Sequence, residues 1–175
     1  LKRFSNYILA YKRDSVFYVK GMSAGEFGQR EAYGSDGAFA PRTVVADGPT
    51  AYYVSNRGLG VFDGDTARLL DLDRLGSVFR NLGAATEKLA CAAIAHHVLY
   101  LSLPVYTGET VDEVRGNLTI TKPKEPTRNN LMVEYDIRRR TYMVRTGIAA
   151  DALLGHGGRL LFTSGDDPSQ VYELT

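Results

Sequence analysis

Ala51-Tyr52-Tyr53-Val54-Ser55-Asn56-Arg57-Gly58-Leu59-Gly60-Val61-Phe62-Asp63-Gly64 reads as one β-hairpin. An apolar run over 51–55 meets the turn formers Asn56, Arg57 and Gly58. A second apolar run over 58–64 then ends in glycine. Tyr, Phe and Val favour the pleated, packed surface of a sheet, and Asn and Gly favour the turn between strands. The same pattern occurs at 7–10 with 15–21, at 98–102 with 131–137, and at 160–164 with 170–175. Aligned on Tyr11, Ser55, Ser102 and Ser164, the copies lie 44, 47 and 62 residues apart. Strand pairs repeating every forty-odd residues predict an all-β fold of antiparallel β-meanders, arranged as the blades of a β-propeller.

The long third step has a local origin. The two strands of a copy peak 7 residues apart at Tyr11 and Tyr18, 7 at Ser55 and Phe62, and 8 at Ser164 and Tyr172. In the third copy Ser102 and Tyr135 are 33 apart, so about 26 extra residues sit inside one hairpin. The repeat therefore predicts about four blades within a single domain over 1–175, with an inserted arm over 104–130. The chain closes as a compact or incomplete propeller, or further sequence or partner chains complete it.

At 175 residues the chain is long enough for one good core. A net charge of +1 argues against binding nucleic acid by phosphate neutralisation. No apolar run has the length of a membrane-spanning helix, so no membrane insertion is expected. The sequence starts at Leu1 and shows no signal peptide, which reads as a piece of a longer protein or a processed one. The one cysteine, Cys91, precludes an internal disulfide. It stands in Ala90-Cys91-Ala92-Ala93-Ile94-Ala95, where a buried thiol is expected.

Two segments depart from the strand pattern. Over 71–82, Leu72, Leu75, Phe79 and Leu82 recur at helical spacing with Asp73, Arg74 and Arg80 off the stripe, predicting a short helix between blades, with Gly76 weakening it. The arm is rich in charge and carries Lys122-Pro123-Lys124-Glu125-Pro126, poor material for a core. It is expected to project as a hairpin or loop.

Candidate chemistry is sparse. His96 and His97 are adjacent in a turn, His156 is distant in sequence, and neighbours on a strand point to opposite faces, so no metal site is expected. Asp63, Asp65, Asp166 and Asp167 lie in glycine-containing turns, where Asx bonds to the local backbone form readily. Their spacing lacks the fuller alternation of a calcium loop. Ser55-Asn56-Arg57-Gly58 is similar to the Asp-box turn of sialidase-like propellers, but its glycine comes one place early and the chain has no Trp. No phosphate loop or Ser/His/Asp spacing is present. Arg138-Arg139-Arg140 reads as a solvated hairpin turn or a contact with a neighbouring subunit.

The order of four motifs carries a family resemblance. Asp14-Ser15-Val16-Phe17-Tyr18-Val19-Lys20-Gly21 resembles the glycine-ended strand that opens propeller segments of bacteriophage virion proteins. Ala40-Pro41-Arg42-Thr43-Val44-Val45 followed by 51–64 resembles their next unit. The stretch 98–104 with 129–136 resembles the third, and Gly165-Asp166-Asp167 with Val171-Tyr172 resembles the last. The long arm departs from that pattern, where a short turn is usual. The resemblance implies a phage or prophage structural protein of the tail or head-to-tail region, located in the virion. It implies no catalytic residue and no cofactor.

The function expected from this reading is non-enzymatic protein–protein assembly with other virion proteins and with itself. The arm would supply the contact through Val105, Tyr106, Val111, Val114, Leu118 and Ile120, ordering on binding at an entropic cost. A carbohydrate-binding or carbohydrate-cleaving propeller for host recognition is the alternative; it requires carboxylates and aromatics to converge in one pocket. A bacterial propeller scaffold without a phage link is the third reading.

Overall fold

The computed structural model describes residues 2–4, 7–21, 25–34, 36–70, 75–116 and 118–174. Its described residues form 17 strands and two short helices, and every sheet is antiparallel. The first sheet holds β1 (Lys2–Phe4), β2 (Tyr7–Tyr11), β3 (Val16–Lys20) and β4 (Gly28–Glu31) as a simple meander. The second holds β5 (Ala40–Asp47), β6 (Thr50–Val54), β7 (Leu59–Phe62) and β8 (Ala67–Leu69) in the same order. Two helices follow, α1 (Gly76–Arg80) and α2 (Thr86–Leu89).

The third sheet takes β9 (Cys91–Ala95), β10 (Val98–Leu103), β13 (Leu131–Asp136) and β14 (Thr141–Thr146). Between β10 and β13 stands a separate hairpin of β11 (Thr110–Arg115) and β12 (Leu118–Pro123). The fourth sheet has three strands, β15 (Ala150–His156), β16 (Arg159–Ser164) and β17 (Asp167–Leu174). The four sequence repeats are thus the pairs β2–β3, β6–β7, β10–β13 and β16–β17, each antiparallel.

Register defines which residues are equivalent. In the second, third and fourth sheets the first two strands are closed by a two-residue turn flanked by the pairs Asp47–Thr50, Ala95–Val98 and His156–Arg159, and the corresponding pair in the first sheet is Phe4–Tyr7. Counting four residues on from each turn makes Tyr11, Val54, Ser102 and Thr163 equivalent. The sequence alignment on Ser55 and Ser164 is therefore corrected by one residue. A one-residue slip exchanges the two faces of a strand, so the correction decides which side chains meet.

With this register the packing becomes regular. Leu9, Tyr11, Val16 and Tyr18 of the first sheet meet Ala51, Tyr53 and Phe62 of the second. The second sheet's other face, Tyr52, Val54, Leu59 and Val61, meets Leu99, Leu101, Leu103 and Val133 of the third, and this is the main core. The third sheet then offers Met132 and Tyr100 to Leu160, Phe162 and Leu174 of the fourth. Sheet follows sheet in one stack; among the described residues no core cluster joins the fourth sheet back to the first.

Polar ties hold the stack in line. Asn129, fully buried, donates its side-chain amide to the carbonyls of Leu89 (2.9 Å) and Ala150 (2.7 Å). The Ser102 hydroxyl donates to that same Ala150 carbonyl at 2.8 Å. Corresponding turns of successive sheets also touch: His97 Nδ1 lies 2.7 Å from Asp47 Oδ2, and the His96 ring fills the space beside Gly158.

The helix expected over 71–82 is shorter than its stripe. Its described part is α1, five residues without a side-chain N-cap, held by burial of Leu75 and Phe79 in the main core; residues 71–74 lie outside the described residues. A helix this short depends on packing rather than propensity. α2 was not expected, and β17 begins at Asp167, earlier than the apolar run suggests. Its expected last residue, Thr175, lies outside the described residues.

Candidate interaction arm

The arm leaves the third sheet at Pro104 and is clamped before it projects. Val105 N–H donates to Asn130 Oδ1 at 2.9 Å, and the Asn130 amide donates to the Val105 carbonyl at 2.8 Å. Tyr106 N–H donates to the Asn81 carbonyl (2.8 Å), and Gly83 N–H to the Pro104 carbonyl (3.1 Å). Glu125 closes the clamp from the segment that follows β12 (Leu118–Pro123). Its carboxylate accepts the Ala84 N–H at 3.1 Å and the Tyr106 hydroxyl. That hydrogen bond, more than burial, raises the Tyr106 phenol above its ordinary value. Gly83 packs under Pro126, 2.4 Å from where a Cβ would stand, so a side chain there would displace the arm's return.

Beyond the clamp the arm is a free-standing hairpin. Thr110 pairs with Pro123, and the register runs through Glu113–Ile120 to the tip. Ionic and polar pairs fix that register along its length. Lys124 Nζ meets Glu109 at 2.8 Å, Lys122 Nζ meets Glu113 at 2.6 Å, and the Thr121 hydroxyl donates to Asp112 at 2.7 Å. The Lys124 hydrogen bond and charge hold the Glu109 carboxyl below its usual range. Exposed pairs of this kind add little stability; here they set which residues face which.

Alternation along the strands divides the apolar residues. Val111, Leu118 and Ile120 share one face with the Glu113–Lys122 pair, and Val114 stands on the other. All four are exposed, Val114 and Leu118 most of all, at 69% and 61%. Tyr106 stays at the base, bound to Glu125. Val105 is half-buried against the main core and bridges Leu82, so it belongs to the base rather than to the exposed hairpin.

The remaining candidates are engaged locally. His96 and His97 form the β9–β10 turn with φ of 49° and 62°. Asp63 Oδ1 caps Thr66 N–H at 3.3 Å, and Asp65 accepts the Tyr18 hydroxyl at 3.1 Å. Asp166 pairs with Arg128, and Asp167 accepts from Ser169. These carboxylates sit on the second and fourth sheets rather than in one place. Among the described residues no group of three or more His, Cys, Asp or Glu is placed to hold a metal. Arg138, Arg139 and Arg140 form the β13–β14 turn, where Asp136 caps two of their N–H groups at 3.0 and 2.9 Å.

Two structural residues escaped the sequence reading. Asp36 receives Arg57 in a two-pronged bond of 2.6 and 2.5 Å, and this orients the 55–58 turn. Asn129 ties three segments together although only its place in a motif was visible. Among the described residues no helix is long and apolar enough to cross a membrane. No protein-family model matches this chain, and no curated protein matches it.

Proposed function

We propose that this chain is a non-enzymatic assembly module of a phage or prophage virion, built as part of a β-propeller and acting through protein–protein contact in the tail or head-to-tail region. The arm carries the reading. A hairpin whose base is locked by Asn130, Tyr106 and Glu125 presents Val111, Leu118 and Ile120 together to solvent. An exposed apolar cluster rimmed by charge is the ordinary form of a contact surface. The locked base removes much of the ordering cost that a floppy loop would incur on binding. The order of the four motifs, each falling on one sheet, supports the propeller and the virion resemblance.

The test is incorporation. A gene encoding the chain with 107–124 replaced by a short turn is placed in its phage or prophage, and purified particles are assayed for the protein. Normal folding with lost incorporation is the expected result. Normal incorporation would overturn the assembly role of the arm.

A further inference from the structure

The last strand of each stacked sheet has one side unpaired, and three of these four edges are guarded. β4 is short and holds Gly28, Gln29, Arg30 and Glu31, with no apolar side chain to pack on a neighbour. β8 has three residues, and Tyr33 already bonds beside it. The Tyr33 N–H donates to the Asp65 carbonyl at 3.1 Å, and its carbonyl accepts the Ala67 N–H at 2.9 Å. β17 carries Pro168, and its register slips between Thr163 and Ser164. Short length, charge, proline and bulges are the ordinary means by which a sheet turns away a further strand.

β14 has none of them. Its residues Thr141–Thr146 pair with β13 in unbroken register, from Asp136–Thr141 to Leu131–Thr146. It stands at the edge of its sheet, so alternate residues aim backbone N–H and C=O groups away from β13. Among the described residues no other backbone group takes these up. Tyr142 and Val144 share one face with Tyr135 and Val133, and Met143 and Arg145 share the other with Glu134 and Met132. Met143 is exposed by 50% and Val144 by 39%. An apolar side chain thus stands uncovered on each face of an open edge.

Charge lies at one end of that edge. Arg138, Arg139 and Arg140 form the turn that leads into β14, and all three are exposed. Arg139 is 3.8 Å from Asp136 with its side chain 82% exposed. Among the described residues Arg138 and Arg140 have no carboxylate partner.

We propose that β14 takes an extended strand of a partner protein as the next strand of its sheet. The strand lies antiparallel, with apolar residues beside Met143 and Val144 and with Asp or Glu at its C-terminal end beside Arg138 and Arg140. In strand addition, main-chain bonds give affinity and the alternating side chains give specificity. Antiparallel pairing forms the stronger ladder, and it sets the strand's C-terminal end against the start of β14. A second copy's β14 does not fit. Laid antiparallel, it would bring Thr146, Gly147 and Ile148 to the arginine turn, and none of these is acidic. The inference goes beyond the arm's proposed role and uses none of its residues.

The probe is a displayed library of short random peptides, selected on the purified chain. Recovered peptides should alternate β-branched or aromatic residues with polar ones and carry Asp or Glu toward the C-terminal end. As free peptides they should bind Met143→Lys with Val144→Lys at least about tenfold more weakly, the loss expected when a central contact is removed. Arg138→Glu with Arg140→Glu should weaken them likewise. Hydrogen exchange at the β14 amides should slow when peptide is added. Circular dichroism checks folding, and Met143→Lys alone replaces the double variant if that unfolds. A library that yields no enriched sequence, peptides indifferent to the lysines, or peptides indifferent to Arg138→Glu with Arg140→Glu would each overturn the inference. So would a wild-type dimer in light scattering that the lysines dissociate, because a second copy would then hold the edge.

Discussion

Asn129 shows how much a single amide can hold. It is fully buried and bonds the carbonyl before β9 and the carbonyl opening β15, at the foot of the returning arm. Asn129→Ala leaves the Leu89 carbonyl without that donor in the core. A buried unsatisfied group costs about 1–3 kcal/mol, so urea unfolding should show a loss of that size. An unchanged midpoint would mean that the network is dispensable. Gly155 makes the opposite case, where a side chain cannot enter. A Cβ there would stand 1.8 Å from the Ile94 carbonyl oxygen, because β15 and β9 run backbone against backbone. Gly155→Ala should cost about 2–3 kcal/mol, in the upper range for single substitutions. Neither residue could be singled out from sequence. A lone Asn beside another, or a Gly in a Leu-rich run, carries no pattern that reports its neighbours.

Strand pairing was legible because apolar runs and turn formers alternate along the chain. Facing was not. Tyr52, Tyr53 and Val54 are all buried, since the second sheet is covered on both sides. Such a run lacks the period of two that fixes which residue points where. The serines chosen for alignment then shifted the register by one. The arm's position was readable from the oversized step, and its exclusion from the core from Pro and charge, while the choice between hairpin and loop was settled by the β11–β12 pairing. Its working face was not readable, because only cross-strand register separates Val111, Leu118 and Ile120 from Val114. The clamp also implies that the hairpin is an appendage of the fold. Cutting it back to a turn beyond Tyr106 and before Glu125 should change the melting temperature by only a few degrees, a shift of about 1 kcal/mol or less. A collapse of the transition would show that β11 and β12 support the sheets.

Burial across the stack makes the fold sensitive to alkali. Burial pushes the Cys91 thiol from 9.0 up to about 11. Burial, aided by Tyr135, pushes Tyr52 from 10.0 up to about 12. Tyr11 and Tyr53, their rings 5.2 Å apart, are raised further still, again chiefly by burial. Each group holds its proton in the folded chain at a pH where the unfolded chain releases it. Their contribution is therefore intact below about pH 9 and falls as pH rises through 11 and 12. Thermal melts between pH 8 and pH 11 should show a flat midpoint at first and a steep decline after; a midpoint rising over that interval would contradict it.

The proposed assembly role concerns the molecule in its particle, and there the arm can be interrogated in place. A photo-crosslinking amino acid at Leu118, with a second preparation at Ile120, is irradiated in assembled particles and read by mass spectrometry. The account predicts a covalent adduct with another virion protein at both positions, lost when the particles are dissociated first. Particles that contain the protein yet give no protein adduct at either position would contradict it.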